Sequence, residues 1–579
     1  MANVPFAIAP IFVELILTVI AIFLLFAWPR LGAPFFARIE RALVPLARRR
    51  GLSVLVVGLA ALLLRLAILP VCPIPNPIVP DDFSFLLSAD TFAHLRLTNP
   101  TPPMWIHFEA IHITMLPTYM SMYFPAQGLL LAAGTLLFGH PWYGLLIVNV
   151  LMCAAICWML QAWLPPAWAL LGGLLSVLHL ALFSYWINTY HAASIAALGG
   201  ALVLGALPRV MKTLKLRYGM LLALGIVMLA LSRPYEGLLL CLPVAVALGR
   251  WAFFSADRPP MGKLALRAAL PLALIAAGIG WLGYFDNVAW GSPFTLPYTV
   301  SRIQYATAPY FIWQSQRPEP HYNHHVMRAY YHDTEQRFAD YSKGPILYLL
   351  NKISMALVCI QFYAGIALWP PLIMVRRVFL DRRIRFLIVC VLVLTAGMSI
   401  QVFVLAHYLA PFTAAFYAIG LQCTRHLRLW NPGGKPVGLT LSRLVVFICV
   451  LMGVARLYAG PLHLALPEYP GNAWNLIWYG PDHFGTERVR VEEFLRSQPG
   501  KQLAIVHYSD RHNPYNEWVY NAADIETSPV IWADEMDDAQ NRELVHYYND
   551  RTVWLVQPDQ QPAGISKYST EAGKKTDSH

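Results

Sequence analysis

The chain has 579 residues, 57% of them hydrophobic and 13% charged, with a formal net charge of +11. A soluble chain of this size carries roughly 25% charged residues, so a soluble globular protein is excluded. The missing charge is concentrated in runs such as 54–71, 145–164 and 386–404, where Arg65 is the exception in the first. Each run is long enough to cross a bilayer core of ~30 Å.

Taken in order, the basic residues fall in five short connectors: 29–50, 208–218, 250–267, 375–385 and 425–443. Together these hold 23 basic and 3 acidic residues, whereas the stretch after residue 460 holds 10 basic and 18 acidic ones. Lys and Arg gather in short cytoplasmic loops, so the positive charge reads as a topology signal and nucleic acid is not an expected partner. With the connectors inside, 6–28 and 52–71 are spans and 72–125 is an external loop. Spans near 142–162, 166–185 and 191–207 return the chain inside. This parity requires 126–139, bracketed by Pro125 and Pro141, to be a partial crossing, because 14 residues are too few to span. Spans near 219–232 and 236–254 follow, then a second external loop at 287–345 and three or four further spans. The first apolar run has no basic n-region and is too long for a cleavable signal.

All eight cysteines lie at or before Cys449 in or beside apolar runs, and they read as small hydrophobes rather than disulfides or a zinc site. Beyond residue 460 the pattern changes to a compact α/β module. Strands are expected at 502–508, 530–533 and 552–557 and a helix at 541–548, with a polar, disordered end. The fold class is thus an all-α polytopic membrane bundle of about 11–13 spans with a small C-terminal α/β extracytoplasmic domain. The linear divisions are 1–50, 51–460 and 461–579.

Residues able to carry chemistry cluster in the expected external segments. The first loop opens Pro80-Asp81-Asp82-Phe83 and continues through Asp90, Arg96, His107 and Glu109. Adjacent carboxylates raise one another's pKa and suit a general base; the plain alternative is the first turn of an amphipathic helix. Further along come Tyr123-Phe124-Pro125-Ala126-Gln127-Gly128, Phe138-Gly139-His140-Pro141, Ser232-Arg233-Pro234-Tyr235-Glu236-Gly237 and His407-Tyr408-Leu409-Ala410-Pro411.

Preceded by Arg65 late in the second span, this series resembles the polyprenyl-phosphate-dependent membrane glycosyltransferases of the GT-C fold. The protein O-mannosyltransferases and lipid A aminoarabinose transferases are the nearest likenesses, over roughly residues 52–420. The resemblance implies an inverting transfer from a polyprenyl-phosphate-linked sugar to a lipid, glycan or protein acceptor at the outer membrane face. It places Asp81 at the position of the catalytic carboxylate, with Asp82 as its acidic neighbour; no cofactor is expected, and Asn323-His324-His325 is too compact to be expected as a metal site. The leaving phosphate requires cations and donors, for which Arg65, Arg233, Arg302 and Lys352 are candidates at the right depth. His107, Glu109, Gln127, Asn188, His191, Glu236, His407 and Tyr408 are candidate substrate contacts. Two departures stand out: Phe124 occupies the place of a family lysine, and the turn 185–191 carries no acid.

Each candidate has a structural alternative. Arg65 could snorkel to the interface, Arg233 and Glu236 could form a local ion pair, and Lys352 could mark the start of its span. Glu14, inside the first span, has no partner nameable from sequence. The second loop is rich in aromatic and histidine residues, including Tyr305, Tyr310, Trp313, His324, Tyr330 and Tyr331. These suit either a membrane-interface belt or a lid over a sugar-lipid cleft. A lipid-linked glycan transporter or flippase, which would favour an inverted repeat, and a non-catalytic scaffold are the competing readings.

Overall fold

The computed structural model describes residues 5–77, 79–341, 343–458 and 486–568. The start of the expected C-terminal domain at 461–485 and its expected disordered end after 568 lie outside the described residues. Up to residue 182 the α-helices are α1 (Pro5–Ala27), α2 (Ala33–Arg48), α3 (Arg50–Ala67), α4 (Pro80–Ala93), α5 (Pro125–Phe138), α6 (Trp142–Trp163) and α7 (Pro166–Ser176), the last continuing as a π-helical turn over Val177–Leu182. The chain divides into two compact units. One comprises Met1–Ile74, Leu145–Gly280 and Leu349–Asp482; the other comprises Pro75–Gly144, Trp281–Tyr348 and His483–His579.

The first unit is helical. Across the described residues, seven helices are long and apolar enough to cross a membrane: α3, α6, Ala193–Thr213, Pro234–Phe254, Met261–Trp290, Pro345–Ala364 and Val437–Leu457. Shorter apolar helices accompany them at Phe12–Ala27, α5, Pro166–Leu182, Leu216–Ala230 and Arg385–Ser399. The chain is an integral, multi-pass membrane protein. α5 forms as a helix of 14 residues, about 21 Å long at 1.5 Å per residue, which is short of the hydrocarbon core. Glu14 finds its partner across the chain, where its Oε1 accepts from the Ala367 N–H at 3.0 Å. The helix Thr413–Arg428 is largely buried. Just before it, the turn Ala406–Phe412 lies against the helix Ala193–Thr213, where Gly200 meets the Pro411 carbonyl at a distance that no Cβ could share. That approach fixes the turn carrying His407 and Tyr408.

The second unit contains the sheet. Strands β1 (Ile113–Thr114) and β2 (Met120–Ser121) form a small hairpin in the first long loop. β3 (Lys501–Val506), β4 (Val530–Asp534), β5 (Arg551–Gln557) and β6 (Gly564–Lys567) form a sheet of order β4-β3-β5-β6. β3 is parallel to both β4 and β5, and β6 is antiparallel to β5. The expected strands and the helix at 541–548 are present, the latter as Asp538–Tyr547. A helix at Thr486–Ser497 and the edge strand β6 were not anticipated; the first is rich in charge and the second is four residues long.

β3 and β4 are apolar along nearly their whole length, which demands burial of both faces. Ala504 and Val506 face Val491 and Leu495 of the helix Thr486–Ser497 together with Tyr305, Tyr330 and Tyr331 of the second long loop. Leu503 and Ile505 face Leu544 and Tyr548 together with Phe83, Leu87 and Phe108 of the first. The C-terminal module therefore does not stand alone: a four-stranded sheet with two short helices cannot cover its own faces, and the long loops complete its core.

Candidate active site

α4 begins as its sequence dictates. Val79 is extended, Pro80 takes the first helical position, and Asp81 and Asp82 lie in the first turn, where proline needs no donor and the helix dipole favours acids. The helix is not amphipathic: Phe83, Ser84, Phe85, Leu87, Ser88 and Phe92 are all buried. Gly128 on α5 lets the two helices close, since a Cβ there would strike Ser88. Successive helical positions point about 100° apart, and this separates the two acids. Asp82 is fully buried, whereas the Asp81 side chain is 17% exposed.

Asp81 is held by a chain of rings. The Tyr123 hydroxyl donates to its Oδ1 at 2.5 Å. The Tyr123 hydroxyl oxygen lies 3.0 Å from His112 Nδ1, and Nδ1 is 3.6 Å from Asp81 Oδ2. His112 Nε2 is 3.0 Å from the Tyr330 hydroxyl. The His112 backbone N–H donates to the Tyr331 hydroxyl at 3.0 Å, and its carbonyl accepts from Ser84 at 2.7 Å. The β1–β2 hairpin brings the histidine and tyrosine together by pairing Ile113 with Ser121. Burial first, and then the Asp81 charge, push the Tyr123 hydroxyl well above the ordinary phenol value. Burial does the same for Tyr330. Both phenols stay protonated and serve as donors. His112 was not among the sequence candidates, and Tyr330 was expected only as part of an aromatic belt or lid; the signals were a histidine before a β-rich stretch and the density of tyrosines near 330.

Other candidates fall inside the same unit but in its framework. His107 is buried, with Nδ1 3.2 Å from the Asp534 carbonyl. Glu109 accepts from Tyr305 at 2.9 Å and Asn323 at 2.6 Å. His324 lies 3.9 Å from Glu109 and 3.8 Å from Asp534, all with side chains no more than 5% exposed. The Ile111 N–H donates to Glu517 at 3.0 Å. Burial, then neighbouring carboxylates, push Asp534 and Glu517 well above the usual range. His107 and Glu109, the expected substrate contacts, pin the first long loop to β4 and the second loop. Arg302, expected to face a phosphate, is clamped by Glu335 at 2.8 Å and stacks 4.7 Å over Tyr310. The second loop is accordingly neither a belt nor a free lid at Tyr305, Tyr330 and Tyr331, which belong to the core. Gln127 is buried on α5, and Phe124 packs 5.5 Å from Tyr298.

The helical unit gathers a second set. Arg233, at the start of Pro234–Phe254, lies 4.6 Å over the Tyr408 ring and 3.9 Å from Glu236. Tyr408 adjoins His407, whose Nδ1 is 3.0 Å from the Tyr185 hydroxyl and whose ring is 5.0 Å from that of His191. Five sequence candidates thus meet in one cluster. Arg65 and Asn188 form a separate one: the guanidinium donates to the carbonyls of Cys72 (2.8 Å) and Pro73 (3.2 Å) and to Asn188 Oδ1 (3.0 Å). Arg65 does not snorkel; it ties the end of α3 to the following turn. Lys352 reaches the carbonyls of Met398, Gln401 and Val402 at the rim of an apolar cavity of about 560 Å³ lined by Cys359, Tyr363, Leu394, Met398, Leu409 and Phe416. Among the described residues no three His, Cys, Asp or Glu side chains converge as a metal-binding group would require.

Fold and site together define a multi-pass helical membrane protein bearing a partly exposed, donor-held carboxylate in a sheet-containing unit. No protein-family model and no curated protein matches the sequence. Among solved structures, the chain is similar to ArnT from Cupriavidus metallidurans bound to undecaprenyl phosphate, with a TM-score of 0.49 at 12% identity over 87% of this chain and 92% of that one. It is also similar to the Archaeoglobus fulgidus oligosaccharyltransferase tethered with an acceptor peptide, with a TM-score of 0.45 at 13% identity over 87% and 68%.

Proposed function

We propose that the protein is a GT-C-type glycosyltransferase that moves a hexosyl or pentosyl unit, with inversion, from a polyprenyl-phosphate donor to an acceptor at the extracytoplasmic membrane face. The observation that carries this reading is the Asp81 carboxylate, partly exposed at the start of α4 and oriented by the Tyr123 hydroxyl. A carboxylate so held takes a proton from an attacking hydroxyl. The acceptor oxygen bonds to the anomeric carbon as the bond to the phosphate oxygen breaks. Its proton passes to Asp81, and the polyprenyl phosphate departs as an anion that needs no general acid. Within the helical unit, Arg233 stacks on Tyr408 and is the cation assigned to binding the donor's phosphate. The apolar cavity beside Lys352 suits an isoprenoid segment. No metal or other cofactor is assigned.

The test is sugar transfer by the reconstituted chain from radiolabelled polyprenyl-phosphate hexose and pentose donors. Asp81→Asn should cost about 10²–10⁴-fold, the value of general-base catalysis, without lowering the melting temperature. Transfer at the wild-type rate by this variant would remove Asp81 as base. Donor translocation without transfer in the wild type would replace the enzyme with a carrier.

A further inference from the structure

We propose that His112 is the positioning residue of the base, holding Tyr123, and through it Asp81, against Tyr330 of the second long loop. This deepens the reading of Asp81 given above and rests on it. The hydrogen-bond direction can be worked out. Tyr123 has one hydroxyl proton, and at 2.5 Å from Asp81 Oδ1 that proton lies on the carboxylate side. The Tyr123 oxygen, 3.0 Å from His112 Nδ1, then accepts, so Nδ1 carries hydrogen. In the neutral ring Nε2 is left as an acceptor, and the Tyr330 hydroxyl 3.0 Å away supplies the donor. All three bonds run one way, ending on Asp81, and together they fix the tautomer of the ring and the orientation of the carboxylate.

The backbone supports the same assignment. His112 has φ of +66°, a left-handed conformation uncommon for a residue with a side chain and concentrated at functional sites. Its N–H and carbonyl are both tied, to Tyr331 and Ser84, so the ring is presented from a fixed mount. The titratable groups facing it are Asp81 from α4, Tyr123 from the segment before α5, and Tyr330 and Tyr331 from the second loop. A histidine serving only to fill the core would need no such directed chain.

The experiment uses the reconstituted full chain with the polyprenyl-phosphate donor that supports transfer. His112→Gly keeps the left-handed backbone without the ring; His112→Asn tolerates that backbone and restores an amide donor. His112→Gly should lower kcat up to about tenfold, the worth of a neutral hydrogen bond, with donor KM unchanged. The acid limb of its pH profile should move to higher pH, because the Tyr123 hydroxyl, no longer polarised and held by His112, donates less strongly to the charged carboxylate. His112→Asn should recover part of the rate, and Tyr330→Phe should move the same limb by less. Wild-type kcat and pH profile in His112→Gly, alongside an inactive Asp81→Asn, would overturn the proposal while leaving the base intact. An active Asp81→Asn would instead bring down the reading beneath it. If His112→Gly does not fold, an unmoved acid limb in both His112→Asn and Tyr330→Phe overturns the proposal.

Discussion

Asp81 and Asp534 lie in the same compact unit, and each has a histidine within 4 Å of its carboxylate, at 3.6 and 3.8 Å. Their surroundings differ. Asp81 sits at 17% side-chain exposure with a phenol donating to it, whereas Asp534 is 4% exposed and faces the charge of Glu109. The first arrangement favours a charged carboxylate that can still meet a substrate; the second favours a neutral carboxyl sealed in the core. An acid–histidine pair is therefore not diagnostic. Accessibility and the sign of the neighbours decide what it does.

The same contrast sorts the cations, and it can be broken by substitution. The largest effect on stability is expected at Arg302. Arg302→Met strands Glu335 beside a buried face and should cost about 3–5 kcal/mol, read as a fall in melting temperature, with transfer per folded molecule unaltered. If transfer collapses while the fold survives, Arg302 belongs with the site rather than the framework. Arg233 is expected to show in donor binding as well as in stability. Arg233→Ala strands the buried Glu236 and should lower the melting temperature, and in the molecules that fold it should raise donor KM about ten- to hundredfold; Arg233→Lys should recover only part of the loss, since a lysine does not stack on Tyr408 as a guanidinium does. Equal KM in all three proteins would strip Arg233 of its phosphate role.

The smallest effect is expected at Asp534. Its carboxyl is raised in the folded state, so its stabilising contribution is full below the unfolded value near about 4 and is lost as pH climbs through the folded value. Asp534→Asn should match the wild type within about 1 kcal/mol at pH 5 and be the more stable protein at pH 8. A melting-temperature series across pH that shows parallel curves would mean that Asp534 is charged after all, and the comparison with Asp81 would lose its basis.

Much of the architecture was legible because the signals are local. Apolar runs of sufficient length give helices wherever they occur, and the expected spans from 142 to 254 coincide with helices for that reason. The shortness of α5 follows from two bracketing prolines, and the strands at 501–506, 530–534 and 551–557 follow from β-branched and aromatic runs between polar turns. The candidate site was half legible. The Pro80-Asp81-Asp82 start marks a helix N-terminus by rules of local chemistry, and Arg233, His407 and Tyr408 stand out as polar groups at the ends of apolar runs. The protein partners of Arg65, Glu109 and Arg302 were not legible, because a charged residue in an apolar context looks the same in sequence whether it meets a ligand or another part of the chain.

By itself the sequence determined a multi-pass helical chain, an acidic pair at a helix start and a C-terminal α/β module, since each depends on composition and on periods of two or 3.6 residues. Only the tertiary structure decided that the two long loops and the module share one core, because both faces of β3 must be buried and the covering side chains come from segments hundreds of residues apart. It also gave Asp81 and Asp82 different surroundings. Neighbours in sequence, they part by the turn of the helix, one into the core and the other toward Tyr123 and His112, and that angle is a property of the fold.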